Sequence, residues 1–110
     1  MDDESRRAFT QVLVESLSEA QRRSGRQVQA ISEDTVPFTD LEDFDSHSGV
    51  EVEVLLSERV GFEIEDIPFC EGRRGSRQLP VSEIVNVLVK KYGTAIQHAM
   101  KRSTEVTTTQ

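Results

Sequence analysis

Apolar residues recur at three- and four-residue steps through residues 4–24, where Phe9, Val12, Leu13, Leu17 and Ala20 fall on one stripe. The spacing predicts a first helix. Arg22 and Arg23 stand in its last turn, where cations suit the helix dipole, and Ser24-Gly25 supplies the stop. A second long stripe, Val81, Ile84, Val85, Leu88, Tyr92, Ile96 and Ala99, predicts a helix over 81–100. Pro80 precedes it, as helix starts allow. Gly93 is its weak point, at a cost of about 1 kcal/mol relative to Ala.

The chain between these helices is less regular. Residues 25–45 are polar and broken by Pro37, which predicts a long loop anchored by Val36, Phe38 and Leu41. Loops of this length in a small domain are usually functional or disordered. Residues 46–60 carry two patterns at once. Val50 to Val54 alternates as a half-buried strand does, and Phe62-Glu-Ile-Glu alternates too, so a hairpin over 50–67 is one reading. The other is a helix. Asp45, Ser46 and Ser48 are all N-cap types, and Ser48 and Glu51 have capping-box spacing. His47, Val50, Val54 and Leu55 then lie at helical steps, and Gly61 can close the C-terminus. The helix accounts for more of these signals. Residues 70–79, CEGRRGSRQL, read as a Gly- and Arg-rich loop. The last eight residues, 103–110, hold one apolar residue and three consecutive Thr, so a disordered tail is expected after a single domain over 1–102.

Composition narrows the classes. A chain of 110 residues fits one core, and with 35 % hydrophobic residues and no Trp that core is lean and helical rather than a sandwich. No apolar run approaches the roughly 20 residues of a membrane helix. The start, MDDESRR, lacks the apolar stretch of a secretory signal. One cysteine, Cys70, forms no internal disulfide, so a reducing, cytoplasmic setting is expected. Charge is unevenly spread. Residues 40–66 hold ten acidic residues against one base, Arg59, which outweighs the net −7 of the whole chain. Such a stretch repels phosphate backbones and attracts basic protein surfaces, which argues against nucleic acid as a partner.

Most local chemistry fails on inspection. Asp45-Ser46-His47 has triad residue types, but adjacent residues cannot converge as a triad must, and no Gly-x-Ser-x-Gly elbow surrounds either serine. An EF-hand loop begun at Asp43 puts Ser48 at the required Gly and Val54 at the bidentate Glu. His47 and His98 are too few and too far apart in sequence to support a zinc site. Gly72-Arg-Arg-Gly75 lacks the strand-loop-helix setting of a phosphate cradle.

An ordered set of pieces remains. Asp40-Leu41-Glu-Asp-Phe-Asp45-Ser46-His47 ends the long loop, Val50-Glu51 follows in an acidic segment, and Phe62-Glu-Ile64-Glu-Asp-Ile67-Pro68 precedes the last helix. In order and spacing the chain resembles the acyl carrier protein family over roughly residues 5–93. That family shows a long first helix, a loop ending in Asp-Leu-x-x-x-Asp-Ser-Leu, an acidic helix with Val-Glu, a Phe-x-Ile-x-Ile-Pro element and a last helix. His47 stands where the family has Leu, the loop 70–79 is longer and more basic, and the last helix runs further.

The resemblance implies an all-α fold, a small four-helix bundle of the acyl-carrier type. Its helices would lie near 4–24, 46–60, 64–69 and 81–100, with the long loop between the first two. It implies 4′-phosphopantetheine joined to Ser46 by a phosphodiester, Ser48 being the local competitor. The protein would then be no enzyme but a monomeric carrier of acyl thioesters for fatty-acid, lipid or secondary-metabolite synthesis, acting away from membranes. Its partners would be a phosphopantetheinyl transferase and acyl-transferring or acyl-activating enzymes with basic patches, met by Asp45, His47, Glu51, Glu53 and Glu58. Val50, Val54, Leu55, Ile84, Val85 and Leu88 would line the core and any acyl cleft. The alternative is an unmodified carrier-like interaction or regulatory module.

Overall fold

The computed structural model describes residues 1–27 and 29–109, with side chains as far as Arg102. Among the described residues four helices follow in order: α1 (Asp3–Arg23), α2 (Pro37–Asp40), α3 (Ser46–Val60) and α4 (Val81–Thr109). An antiparallel ladder of β1 (Cys70–Glu71) with β2 (Arg77–Gln78) sits between α3 and α4 in the chain. α4 runs on past the expected end at residue 100, through 103–109 where a tail was expected, and residue 110 lies outside the described residues.

α1 starts on Asp2, whose carboxylate accepts the Ser5 N–H at 2.7 Å. Phe9, Leu13, Leu17 and Ala20 face the core, and Val12 sits at its edge. α4 brings Val81, Ile84, Val85, Leu88, Ile96 and Ala99 to the same core. It bends at Tyr92, whose φ of −121° and ψ of 15° leave helical geometry one residue before Gly93. α1 packs against both α3 and α4, as helices with one apolar stripe must.

α3 settles the choice left open at 46–60, since the segment is helical from Ser46 to Val60 and no strand forms at 50–56. Gly61 ends it in the left-handed region, φ 83°, with its N–H on the Ser57 carbonyl. The helix is rotated from the expected stripe. Val52, Leu55, Leu56 and Val60 are buried, while Val50 and Val54 are 61 % and 52 % exposed. Neither therefore lines the core, whereas Leu55, Ile84, Val85 and Leu88 do. The capping box also differs. Asp45 is the N-cap and pairs with Ser48, so Ser48 is the third residue of the box rather than its start.

No helix forms over 64–69, and the chain there is an irregular strap, with Asp66 in the left-handed region, φ 54°, and the Phe69 N–H turned back onto the Ile67 carbonyl at 3.1 Å. Three consecutive backbone N–H groups donate to side chains of the two neighbouring helices. Ile64 donates to Ser57 Oγ at 2.9 Å, Glu65 to the Tyr92 hydroxyl at 3.2 Å and Asp66 to Glu53 Oε2 at 3.1 Å. With these donors spent on α3 and α4, the segment satisfies its amides without a helix. Ile64, Ile67 and Phe69 still turn inward. The fourth helix lies instead in the long loop, as α2, opened by Pro37 at its first position.

The same loop caps α4: Val81 N–H donates to the Thr35 carbonyl at 2.8 Å and Ser82 N–H to the Glu33 carbonyl at 2.9 Å. The Gly- and Arg-rich loop proves to be a hairpin, a departure from the all-helical expectation. Its ladder is extended at the base by Leu79 N–H to the Phe69 carbonyl at 2.9 Å. Arg77 fastens it to Glu71 and, at 2.6 Å, to Glu83.

The rotation of α3 is open to measurement. Leu56→Ala and Leu88→Ala are each expected to lose about 2–5 kcal/mol in denaturant unfolding. Val54→Ala is expected to stay within about 0.5 kcal/mol of wild type. A large loss at Val54 with none at Leu56 would show the opposite face to be the buried one.

Candidate functional site

The first turn of α3 separates two serines that lie two residues apart. Asp45 Oδ1 accepts the Ser48 N–H at 3.1 Å, and the Ser48 hydroxyl accepts the Asp45 N–H at 3.3 Å. Arg26, half-buried on the long loop, donates to Ser48 Oγ at 2.6 Å. Ser48 is only 3 % exposed. Ser46, at the first helical position, is exposed, and among the described residues nothing holds its hydroxyl. Of the two, Ser46 is the hydroxyl open to solvent.

The N–H of Ser48, above all, holds the Asp45 carboxyl below the usual carboxylate range. Burial opposes this, and the Ser48 hydroxyl, the Arg26 charge and the His47 N–H add to it. Behind the cap, Gln21 is 1 % exposed and donates to the Glu42 carbonyl at 2.8 Å, which pins the end of the long loop to α1. Asp43 takes a left-handed turn, φ 51°, on the way into the cap.

Ser46 opens on a shallow groove of about 350 Å³. Ser46, Gly49, Val50 and Glu53 form one side, at the three- and four-residue steps of a single helix face. Phe38 and the strap residues from Asp66 to Cys70 complete it. Its floor is aromatic. Phe38 and Phe69 line it and stack with ring centroids 5.7 Å apart, and Phe44, outside the lining, meets the two rings at 5.6 and 5.3 Å. The Phe69 ring lies so close to α3 that a Cβ on Gly49 would stand 3.2 Å from it, so only glycine fits there without a shift.

Around this mouth the outer face of α3 is apolar along Val50 and Val54 and acidic beside them. Glu51 and Glu53 are half-exposed, and Glu58 and His47 are exposed. Glu53 is tied to the strap through Asp66 N–H. Further along the strap, hydrogen bonding and repulsion from Glu63 raise the Glu65 carboxyl above its usual range. Asp45, His47, Glu51 and Glu53 thus fall within two turns of Ser46, and Glu58 lies toward the far end of the helix. Among the described residues no group of His, Cys, Asp and Glu is arranged to hold a metal ion. None of their helices is long and apolar enough to cross a membrane.

Three parts of the site were not foreseen from the sequence: Arg26 on Ser48, the aromatic floor, and Cys70 in the groove wall. Phe38 was visible as an apolar anchor, but its meeting with Phe44 and Phe69 depends on the path of the strap. Arg26 lies in a polar stretch with no periodicity to mark it. No protein-family model matches the chain, and neither does any curated protein or solved structure.

The cap makes a pH statement. A carboxyl lowered in the folded state contributes stability that is whole above its unfolded value, about 3.9, and is lost as pH falls through the lowered value. An NMR titration is expected to place the Asp45 midpoint below about 3.9, with the Ser48 amide resonance moving in step. A midpoint at or above the ordinary value would remove Asp45 from the cap.

Proposed function

We propose that this chain is a carrier protein whose Ser46 bears a 4′-phosphopantetheine arm. The observation behind the reading is the contrast at the mouth of α3, where Ser48 is buried and held while Ser46 is exposed and opens on a groove. The order of Asp45-Ser46, Val50-Glu51 and Phe62–Pro68 along the chain supports it from the sequence. The residues present suit a phosphodiester. Ser46 supplies an exposed oxygen, and the first turn of α3 favours negative charge beside it.

Ser46 Oγ attacks the phosphorus that joins pantetheine to the nucleotide of coenzyme A. The new Ser46 O–P bond replaces the bond to the nucleotide, which departs with its phosphate. The Ser46 proton passes to a base on the transferase, and a metal there neutralises the phosphates. The arm supplies a terminal thiol that carries cargo as a thioester. The chain's own residues hold and present the arm rather than transform the cargo, so the protein is not an enzyme on this reading.

Recognition falls to α3. Val50 and Val54 offer an apolar ridge, and Glu51, Glu53, Glu58 and Asp45 surround it with negative charge. A transferase and acyl-handling enzymes with basic patches fit this face, with charge setting encounter and the valines adding contact. On this reading the protein works as a cytoplasmic monomer in fatty-acid, lipid or secondary-metabolite synthesis.

Intact mass after incubation with coenzyme A, Mg²⁺ and a phosphopantetheinyl transferase tests the site. Wild type gains one arm, Ser46→Ala gains none, and Ser48→Ala is still modified although it loses about 1 kcal/mol of stability. Ser46→Ala keeps its stability within about 0.5 kcal/mol, because Asp45 and not Ser46 caps the helix. His47→Leu is modified at least as fast as wild type. If wild type, His47→Leu and protein from the native host all lack the arm, the unmodified interaction module is the better reading.

A further inference from the structure

The groove beside Ser46 goes no deeper than the surface. Among the described residues, no side chain of α4 lines it. Two features shut it off from the core between α3 and α4. The first is the strap, whose residues 64–66 are hydrogen-bonded in turn to Ser57, Tyr92 and Glu53. It is thereby stitched to α3 and α4 together, across the seam between them. The second is the Phe69 ring. It is pressed on the α3 backbone at Gly49, stacked on Phe38 at 5.7 Å and met edge-on by Phe44 at 5.3 Å. Beyond it Val52, Leu56, Ile84 and Leu88 are at most 1 % exposed. A close-packed core of this kind admits extra methylenes only by displacing what fills it.

Size points the same way. Ligand pockets that bury a drug-sized molecule run from about 300 to 1,000 Å³, and this groove, at about 350 Å³, is near the lower limit. Resting on the reading of Ser46 as the attachment residue, we propose that the carrier serves short acyl groups, butyryl or smaller. These are held on the outer groove against Val50, Pro68 and Phe69, and long fatty chains are not drawn into the helical core. Specificity is thus set by Phe69 and the strap, which decide how far the cargo can go.

The test places alkyl chains at the groove mouth without a transferase. The full chain carrying Ser46→Cys and Cys70→Ser is labelled with butyl or tetradecyl methanethiosulfonate. Amide shifts and melting temperature are then compared with the unlabelled protein. The butyl label is expected to move the Gly49, Val50 and Phe69 amides. The tetradecyl label is expected to move the same group, leave Leu56, Ile84 and Leu88 in place and give no rise in melting temperature. Adding Phe69→Ala is expected to let the tetradecyl chain shift the Leu56 and Leu88 amides. Tetradecyl shifts at Leu56, Ile84 and Leu88 with Phe69 intact, together with a melting temperature that climbs with chain length, would overturn the proposal. The two readings fail separately. Core entry overturns the short-cargo assignment and leaves the arm on Ser46 standing, whereas a wild-type serine that no transferase modifies overturns the arm.

Discussion

The Asp45 carboxylate takes the Ser48 N–H at 3.1 Å, and with that contact the rotation of α3 about its axis is set. Once Ser48 is turned inward, the helical repeat carries Val52, Leu55 and Leu56 inward with it. The same repeat sends Ser46, Gly49, Val50 and Glu53 to the groove. Asp45 acts through the backbone, yet it decides which of two serines meets solvent. Arg26 reinforces the choice by donating to Ser48 Oγ, which gives that buried hydroxyl a partner besides Asp45. An isolated α3 of 15 residues would be marginal in water, so the cap and the core contacts must form together.

Around this cap the protein uses side chains where a regular bundle would use helix. The long loop is not loose. Gln21 grips it at Glu42, its carbonyls at Glu33 and Thr35 receive the first N–H groups of α4, and α2 puts Phe38 beside the aromatic floor. The strap follows the same logic, with Ser57, Tyr92 and Glu53 standing in for the carbonyls a helical turn would have supplied. Such bonds each add modestly, about 0.5–1.5 kcal/mol net, but a missing partner for a buried amide costs more than the bond contributes. Their effect is to fix geometry. Ile64, Ile67 and Phe69 point inward along a path that turns at Asp66, and Phe69 arrives under Gly49.

The long elements were legible because their signals agree with one another. In α1 the apolar period, the flanking charges and the stop residues name the same span, whereas in α4 the apolar period and Pro80 name the start, Gly93 marks the bend found at Tyr92, and the helix runs past the expected end at residue 100 to Thr109. α3 was legible in extent but not in rotation. Valines at 50, 52 and 54 are spaced by two, so they spread round a helix and favour no face. Only the pairing of Asp45 with Ser48, rather than Ser48 with Glu51, selects Val52 as the inward one. The strap misled for a different reason. Phe62, Ile64, Ile67 and Phe69 suit a short helix as well as an extended chain, and the deciding partners are distant in sequence, Tyr92 lying 27 residues from Glu65. Ser46 stood out through its neighbours in order, while the groove it opens on depends on contacts no local pattern encodes.

Charge completes the arrangement of the site. Among the described residues no acidic residue of 40–66 is paired in a salt bridge. Arg59, the one base in that stretch, pairs with Glu15 of α1 at 3.2 Å, outside the stretch. Glu63 and Glu65 sit close enough that one raises the other's carboxyl. Meanwhile Lys90, Lys91, Lys101 and Arg102 gather on α4, with no acidic residue between Glu83 and Glu105. Charges of opposite sign are thus sorted onto different helices, which gives the molecule a field with a direction. A positively charged surface would orient the α3 face toward itself before contact, and salt would weaken that guidance over a Debye length of about 8 Å at physiological ionic strength. Because the acids lie along the helix that begins at Ser46, a field that drew in a positively charged surface would also aim the exposed hydroxyl toward it.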